Sequence, residues 1–164
     1  MLAACAAVTA TIVGVGVARA DTALTVGGGW QQFNWDSQTQ SAVPYQTPFT
    51  FTTTKSVRLE ITDVLCPGEV FTVYDNGVLL GQTSPPRVFT CDYAGSTGDP
   101  DAALKDPTYS GAIATLDAGT HSITIIVSTN GYPNGSGYIR VDYPSVSIQS
   151  AKGDNRYLAV KKFH

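Results

Sequence analysis

Ser56-Val57-Arg58-Leu59-Glu60-Ile61-Thr62-Asp63-Val64 sets Val57, Leu59 and Ile61 on one side of an extended chain and Arg58, Glu60 and Thr62 on the other. Successive side chains of a strand point to opposite faces, so this period of two predicts a strand with one face in a core and one in water. A little further on, Glu69 to Thr83 holds two β-rich runs flanking Asp75-Asn76-Gly77. Asn-Gly supplies the positive φ angles that a two-residue type I′ turn demands, and the segment reads as a hairpin. The alternation returns at Thr120 to Thr129, with Ile123, Ile125 and Val127 against Ser122, Thr124 and Ser128, and at Gly137 to Tyr143, with Ile139, Val141 and Tyr143 against Tyr138, Arg140 and Asp142.

Working outward, Asp117-Ala118-Gly119-Thr120 is a second turn, joining a strand at Ala112 to Leu116 to the one that begins at Thr120. Further strand candidates are Thr22 to Val26, Trp30 to Asn34, Phe49 to Thr54, Arg87 to Cys91 and Ser145 to Gln149. Helical periodicity is nearly absent. Eight to ten short strands separated by regular turn signals predict an all-β chain, an antiparallel β-sandwich of jelly-roll type.

Both ends are set apart from that domain. Leu2 through Ala18 is an apolar run closed by Ala18-Arg19-Ala20, the small-residue pattern of a signal-peptidase site, and cleavage is expected before Asp21. A retained membrane anchor is the alternative, because no Lys or Arg precedes Arg19; the run is short and Ala/Gly-rich for a span, which takes about 20 strongly apolar residues. Leu2-Ala3-Ala4-Cys5 has the look of a lipoprotein acylation box with the order reversed, the apolar run following the cysteine, and is set aside. Removing residues 1–20 from the 164 leaves 144, divided into a sandwich over 21–149 and a basic tail over 150–164. A core of that size buries about two thirds of the surface of the unfolded chain and stands alone.

Charge constrains partners. Residues 21–149 carry five Lys and Arg against twelve Asp and Glu, a net −7, which repels phosphate backbones and argues against nucleic acid. The tail reverses the sign, with Lys152, Arg156, Lys161 and Lys162 against Asp154, and its Tyr157-Leu158-Ala159-Val160 reads either as an edge strand or as part of a basic extension. Cys66 and Cys91 remain once Cys5 leaves with the signal, and a pair in an exported chain reads as a disulfide rather than as two buried thiols. Closing 25 residues stabilises the fold by about 3.5 kcal/mol on chain entropy.

Two loops interrupt the strands. Asp92 to Ser110 is rich in Asp, Gly, Ser and Pro, and Asp99 before Pro100 is an N-cap for a single helical turn. Its Asp92, Asp99, Asp101 and Asp106 are weak calcium candidates, since hard oxygen ligands are gathered there without the fixed spacing of an EF-hand; a solvated loop is the simpler account. Asn130 to Gly137 is the second loop, and its Asn134-Gly135-Ser136 is an acceptor triplet for glycosylation in a eukaryotic source.

Pro48-Phe49-Thr50-Phe51-Thr52, Leu59-Glu60-Ile61-Thr62-Asp63, Glu69 through Gly77 and Leu80-Gly81-Gln82-Thr83 together resemble a group of uncharacterised exported β-sandwich proteins, fungal ones and bacterial ones with C-terminal sorting signals. Leu116 through Ile125 is similar to a late turn-and-strand unit shared by many such sandwiches, carbohydrate-binding modules among them. The likeness runs over residues 48–143 and implies an exported sandwich. It transfers no catalytic residue, and the bacterial sorting tail has no counterpart here.

Catalytic residues are scarce. The histidines are His121, read as an exposed turn residue, and His164, so neither a His-ligated metal nor a Ser-His-Asp triad assembles, and nothing calls for a cofactor. Glu60, Glu69 and Asp63 offer carboxylates for glycoside hydrolysis, but their spacing selects no pair and Glu60 falls on the face read as solvated. Binding candidates are aromatic. Trp30, Gln32 and Trp35, with Gln31, Phe33 and Asn34 between them, and Tyr132 in the second loop offer the mixture of rings and amides that suits a hydroxyl-rich ligand; the alternative puts both tryptophans in the core. The expectation is therefore a secreted, extracellular binding module without catalysis, directed at glycans or cell-wall material and free of the membrane after signal cleavage. A structural or host-interacting protein and a secreted glycoside hydrolase are the alternatives.

Overall fold

The computed structural model describes residues 21–36, 44, 46–87, 91, 96–129 and 131–145. The expected signal segment, Asp92, the tail and most of Ser145 to Gln149 lie outside these residues, as does the middle of Arg87 to Cys91.

Among the described residues, nine strands and one short helix follow in chain order: β1 (Thr22–Ala23), β2 (Gln31–Asp36), β3 (Phe49–Thr53), β4 (Val57–Asp63), β5 (Val70–Asp75), β6 (Val78–Gln82), α1 (Pro100–Lys105), β7 (Gly111–Leu116), β8 (Gly119–Thr129) and β9 (Asn134–Asp142). They form two sheets, ordered β1-β3-β8-β5-β6 and β2-β9-β4-β7, antiparallel throughout except for the short parallel pair β1 and β3. The β-sandwich is thus the fold, and its disulfide joins Cys66 to Cys91 with Cα atoms 4.6 Å apart. No helix among the described residues is long and apolar enough to cross a membrane.

Alternation builds the core. The inward residues of the two layers meet as Phe33 and Trp35, Phe49 and Phe51, Leu59 and Ile61, Phe71 and Val73, Ile123 and Ile125, and Ile139 and Val141. Phe71 is the hub of the rings, edge-on to both Phe33 and Trp35 with centroids 5.4 Å away in each case. Such contacts add about 0.5–1.5 kcal/mol each to the burial of the rings themselves. The hairpin turn has the form its residues demand, with φ of 49° at Asn76 and 78° at Gly77.

Some expectations shift. The second loop is shorter than its glycines imply, because Asn134 to Gly137 opens β9 and pairs with β2, Trp35 opposite Gly135 and Phe33 opposite Gly137. A Cβ at either glycine would lie well inside 3.0 Å of the facing ring. Glycine here makes room for aromatic rings rather than a turn. Thr22 to Val26 keeps strand form over two residues, and the strand expected from Trp30 begins one residue later.

The segment before β7 folds over the outer face of the four-stranded sheet. Asp99 caps α1 by accepting from the Asp101 N–H at 2.9 Å, with Pro100 in the first turn. Ala103 and Tyr109 pack on Val64 and Tyr138, and the Tyr109 hydroxyl accepts from the Thr97 N–H at 2.7 Å. This cover corrects the reading of Glu60, which is 1% exposed. His121 is corrected too: it shares the inward phase of Ile123 and Ile125, is 7% exposed, and stacks on Phe51 at 4.8 Å. Its Nδ1 lies 2.7 Å from Asp75 Oδ2 and its Nε2 3.0 Å from the Asp117 carbonyl.

Overpacking at a close backbone-to-ring contact costs about 1–3 kcal/mol. Gly135→Ala and Gly137→Ala are each expected to lower stability by about that amount in urea unfolding, with an unchanged m-value.

Candidate functional site

Two places gather functional side chains, and the four aromatic and amide candidates divide between them. On the outer face of β2 and β9, cross-strand register sets Gln32 opposite Tyr138 and Asn34 opposite Ser136. The Gln32 amide donates to Asn34 Oδ1 at 3.1 Å and accepts from the Tyr138 hydroxyl at 3.3 Å. Trp30 stands edge-on to Tyr138, centroids 6.5 Å apart, and the Arg140 guanidinium lies 4.2 Å over the Trp30 ring. Gln32 is exposed, while Trp30, Asn34 and Tyr138 are half-buried.

Arg140 ties this row to the covered part of the sheet. Its guanidinium pairs with the buried Glu60, with Asp101 of α1 at 2.9 Å and with Asp142 at 3.2 Å. Arg58 adds a second cation to Glu60 at 2.6 Å. Burial opposes the charge on Arg140, but Glu60 and Asp101 outweigh it and raise its affinity for the proton. Trp30 is therefore seated on a cation that does not let go of its charge.

The second place is a pocket of about 220 Å³ at the end of the sandwich where β2 and β4 stop and β5 and β9 start. Trp35, Asp63, Glu69, Tyr132, Asn134 and Ser136 are among its lining residues. Trp35, expected as a ligand-stacking ring, is 2% exposed and belongs to the core, with its edge to the pocket. Tyr132 accepts from the Cys91 N–H at 2.7 Å, which ties the loop before β9 to the disulfide.

Asp63 and Glu69 are 0% and 2% exposed and lie side by side, with no cation paired to either among the described residues. Burial and the neighbouring Glu69 push Asp63 up to about 9, although the Val64 N–H donates to its Oδ1 at 2.8 Å. Burial raises Glu69 as well, against the hydrogen bonds it receives from Asp63 and from the backbone N–H groups of Gly131 and Tyr132. Burial thus favours the protonated form of each carboxyl. Strand phase carries the signal for both. Asp63 is in step with Leu59 and Ile61, and Glu69 with Phe71 and Val73, so each points inward; reading them only as carboxylates in search of a spacing missed it.

The remaining candidates have local duties. Asp99 caps α1, Asp101 pairs with Arg140 and Asp106 accepts from the Thr108 N–H, which holds its carboxyl below the usual range. No group of three His, Cys, Asp or Glu side chains suited to a metal ion occurs among the described residues. Asn134 is exposed at the first position of β9.

Comparison with known proteins finds no matching family model, no matching curated protein and no matching solved structure.

The raised carboxyls make stability depend on pH with a definite sign. The folded protein keeps a proton that the unfolded Asp63 releases near its ordinary value of 3.8, so stability is greatest below that value and falls as pH rises toward about 9. The slope is at most about 1.4 kcal/mol per pH unit for one proton. Urea unfolding between pH 5 and 8.5 is expected to show stability falling with pH, and Asp63→Asn to flatten that slope.

Proposed function

We propose that this chain is a secreted, non-catalytic binding module for glycans or cell-wall material, and that it binds through the outer face of β2 and β9. The observation that carries the reading is the row Trp30, Tyr138, Gln32 and Asn34, in which aromatic groups and hydrogen-bonded amides share one open sheet face. Aromatic faces suit the C–H side of a sugar ring, and amides suit its hydroxyls. The Arg140 stack and the Gln32 bonds hold the row in place before any ligand arrives, which lowers the ordering cost of binding. Export is supported by the apolar N-terminal run with its Ala18-Arg19-Ala20 end and by the disulfide. The resemblance of residues 48–143 to exported sandwiches points the same way. In a eukaryotic secretory pathway the exposed Asn134 would carry a sugar of its own.

A specific observation favours one rival, a structural or host-interacting role. Val78 and Leu79 beside the β5–β6 turn are 68% and 58% exposed, and an apolar groove lined by Leu80, Ala112 and Ile113 runs between the edge strands β6 and β7. Hydrolysis is less well served, because Asp63 and Glu69, the two acids lining one pocket, are buried at 0% and 2% exposure.

A pull-down on insoluble chitin, cellulose and β-glucan is expected to retain the protein on at least one of them. Trp30→Ala and Tyr138→Ala should each weaken that retention about tenfold, equivalent to about 1.4 kcal/mol of lost contact. No retention on any polysaccharide sinks the glycan reading, and retention by a partner protein through Val78 and Leu79 favours the rival.

A further inference from the structure

The pocket at the end of the sandwich plays no part in the surface reading. Of the five buried side-chain polar atoms without a hydrogen-bond partner among the described residues, Asp63 Oδ2, Glu69 Oε1 and Trp35 Nε1 belong to residues that line it, while Trp30 Nε1 and Arg58 Nε lie elsewhere. All three belong to side chains that are at most 2% exposed, and all three side chains line the same pocket. A buried polar atom left unpaired costs about 1–3 kcal/mol, so three around one cavity call for an occupant.

Their chemistry selects the occupant. Two are carboxyl oxygens and the third is an N–H donor, so the occupant must both donate and accept. A calcium ion would need six to eight oxygens and would meet the indole N–H, whereas a hydroxyl group donates and accepts at once. The rest of the lining is mixed, with the rings of Trp35 and Tyr132 and the side of Pro133 offering apolar surface to C–H groups. The pocket, about 220 Å³ and partly open to solvent, has room for several waters or for a group the size of one sugar ring.

We propose that the pocket bounded by Asp63, Glu69 and Trp35 receives a single sugar-sized polyhydroxy ligand, its hydroxyls donating to the two carboxyl groups and accepting from the indole N–H. Ligand class rests on the glycan reading above, but none of that reading's surface residues takes part. The Gly131 and Tyr132 N–H groups already donate to Glu69 and hold its carboxyl at the pocket wall. Ligand binding closes the polar gap that folding leaves open.

The chain has two tryptophans, so its ¹⁵N spectrum has two indole signals, and the one missing from Trp30→Phe identifies Trp30. The wild-type protein is titrated with free glucose, galactose, mannose, xylose and N-acetylglucosamine, and separately with calcium. At least one sugar is expected to shift the Trp35 indole and the Gly131 and Tyr132 amides saturably, with Kd in the millimolar range or tighter, and Glu69→Gln to weaken it about tenfold. Asp63→Asn replaces Glu69→Gln if the latter does not fold. A Trp35 signal that no sugar moves, or that only calcium moves, or that moves alike in wild type and Glu69→Gln, overturns the proposal and leaves a water-filled cavity or a cation site. Loss of polysaccharide retention with an intact Trp35 response, or the reverse, tells failure of the surface reading from failure of this one.

Discussion

Phe33 and Trp35 lie across Gly137 and Gly135 of the neighbouring strand, and the rest of the molecule is arranged by that contact. A side chain larger than hydrogen at either glycine would push a ring off the sheet, so β2 and β9 are held in one register. With the odd-numbered rings turned inward, Trp30, Gln32 and Asn34 must face outward, opposite Arg140, Tyr138 and Ser136. The same contact turns the edge of Trp35 to the end pocket. One register thus sets both the open aromatic row and a wall of the cavity.

Two buried acidic sites occupy the sandwich, and their charge is handled in opposite ways. Glu60 sits beneath α1 between Arg58 and Arg140, so its charge is met by guanidinium groups. Ion pairs of this kind contribute little net stability but make the removal of one partner costly, about 3–5 kcal/mol. They also tie the capped helix to the sheet through Asp101. Asp63 and Glu69 have no such cation among the described residues, and burial raises both carboxyls. The first arrangement lies beneath a helix and meets its charge with guanidinium groups, leaving Arg58 Nε unpaired; the second keeps three unpaired atoms on residues that line a pocket.

Strand phase reaches further into the site than residue type does. The run from Ser56 to Val64 places Asp63 in step with the core, the hairpin places Glu69 likewise, and the phase of β8 takes His121 inward with Ile123. Each is buried as its phase requires, although His121 reads from its place beside a turn as exposed. Glu60 fails in the other direction. Its phase is outward and correct, but a helix from a distant part of the chain closes over it, and no local pattern announces such a cover.

Alternation, the Asn76-Gly77 turn and the Asp99-Pro100 cap are short-range matters, decided within a few residues by backbone sterics and side-chain direction, and from them the all-β class, most of the strands, the hairpin and the small helix could be read off the chain. Pairing of Cys66 with Cys91 followed from their being the two cysteines left beyond the apolar leader. Which strands lie side by side, why glycines at 135 and 137 belong to a strand, and which acids meet arginine and which meet each other depended on contacts between segments far apart along the chain. Burial is a property of the packed whole, and the functional candidates were divided between an open face and a pocket at the sandwich end only when the two sheets came together.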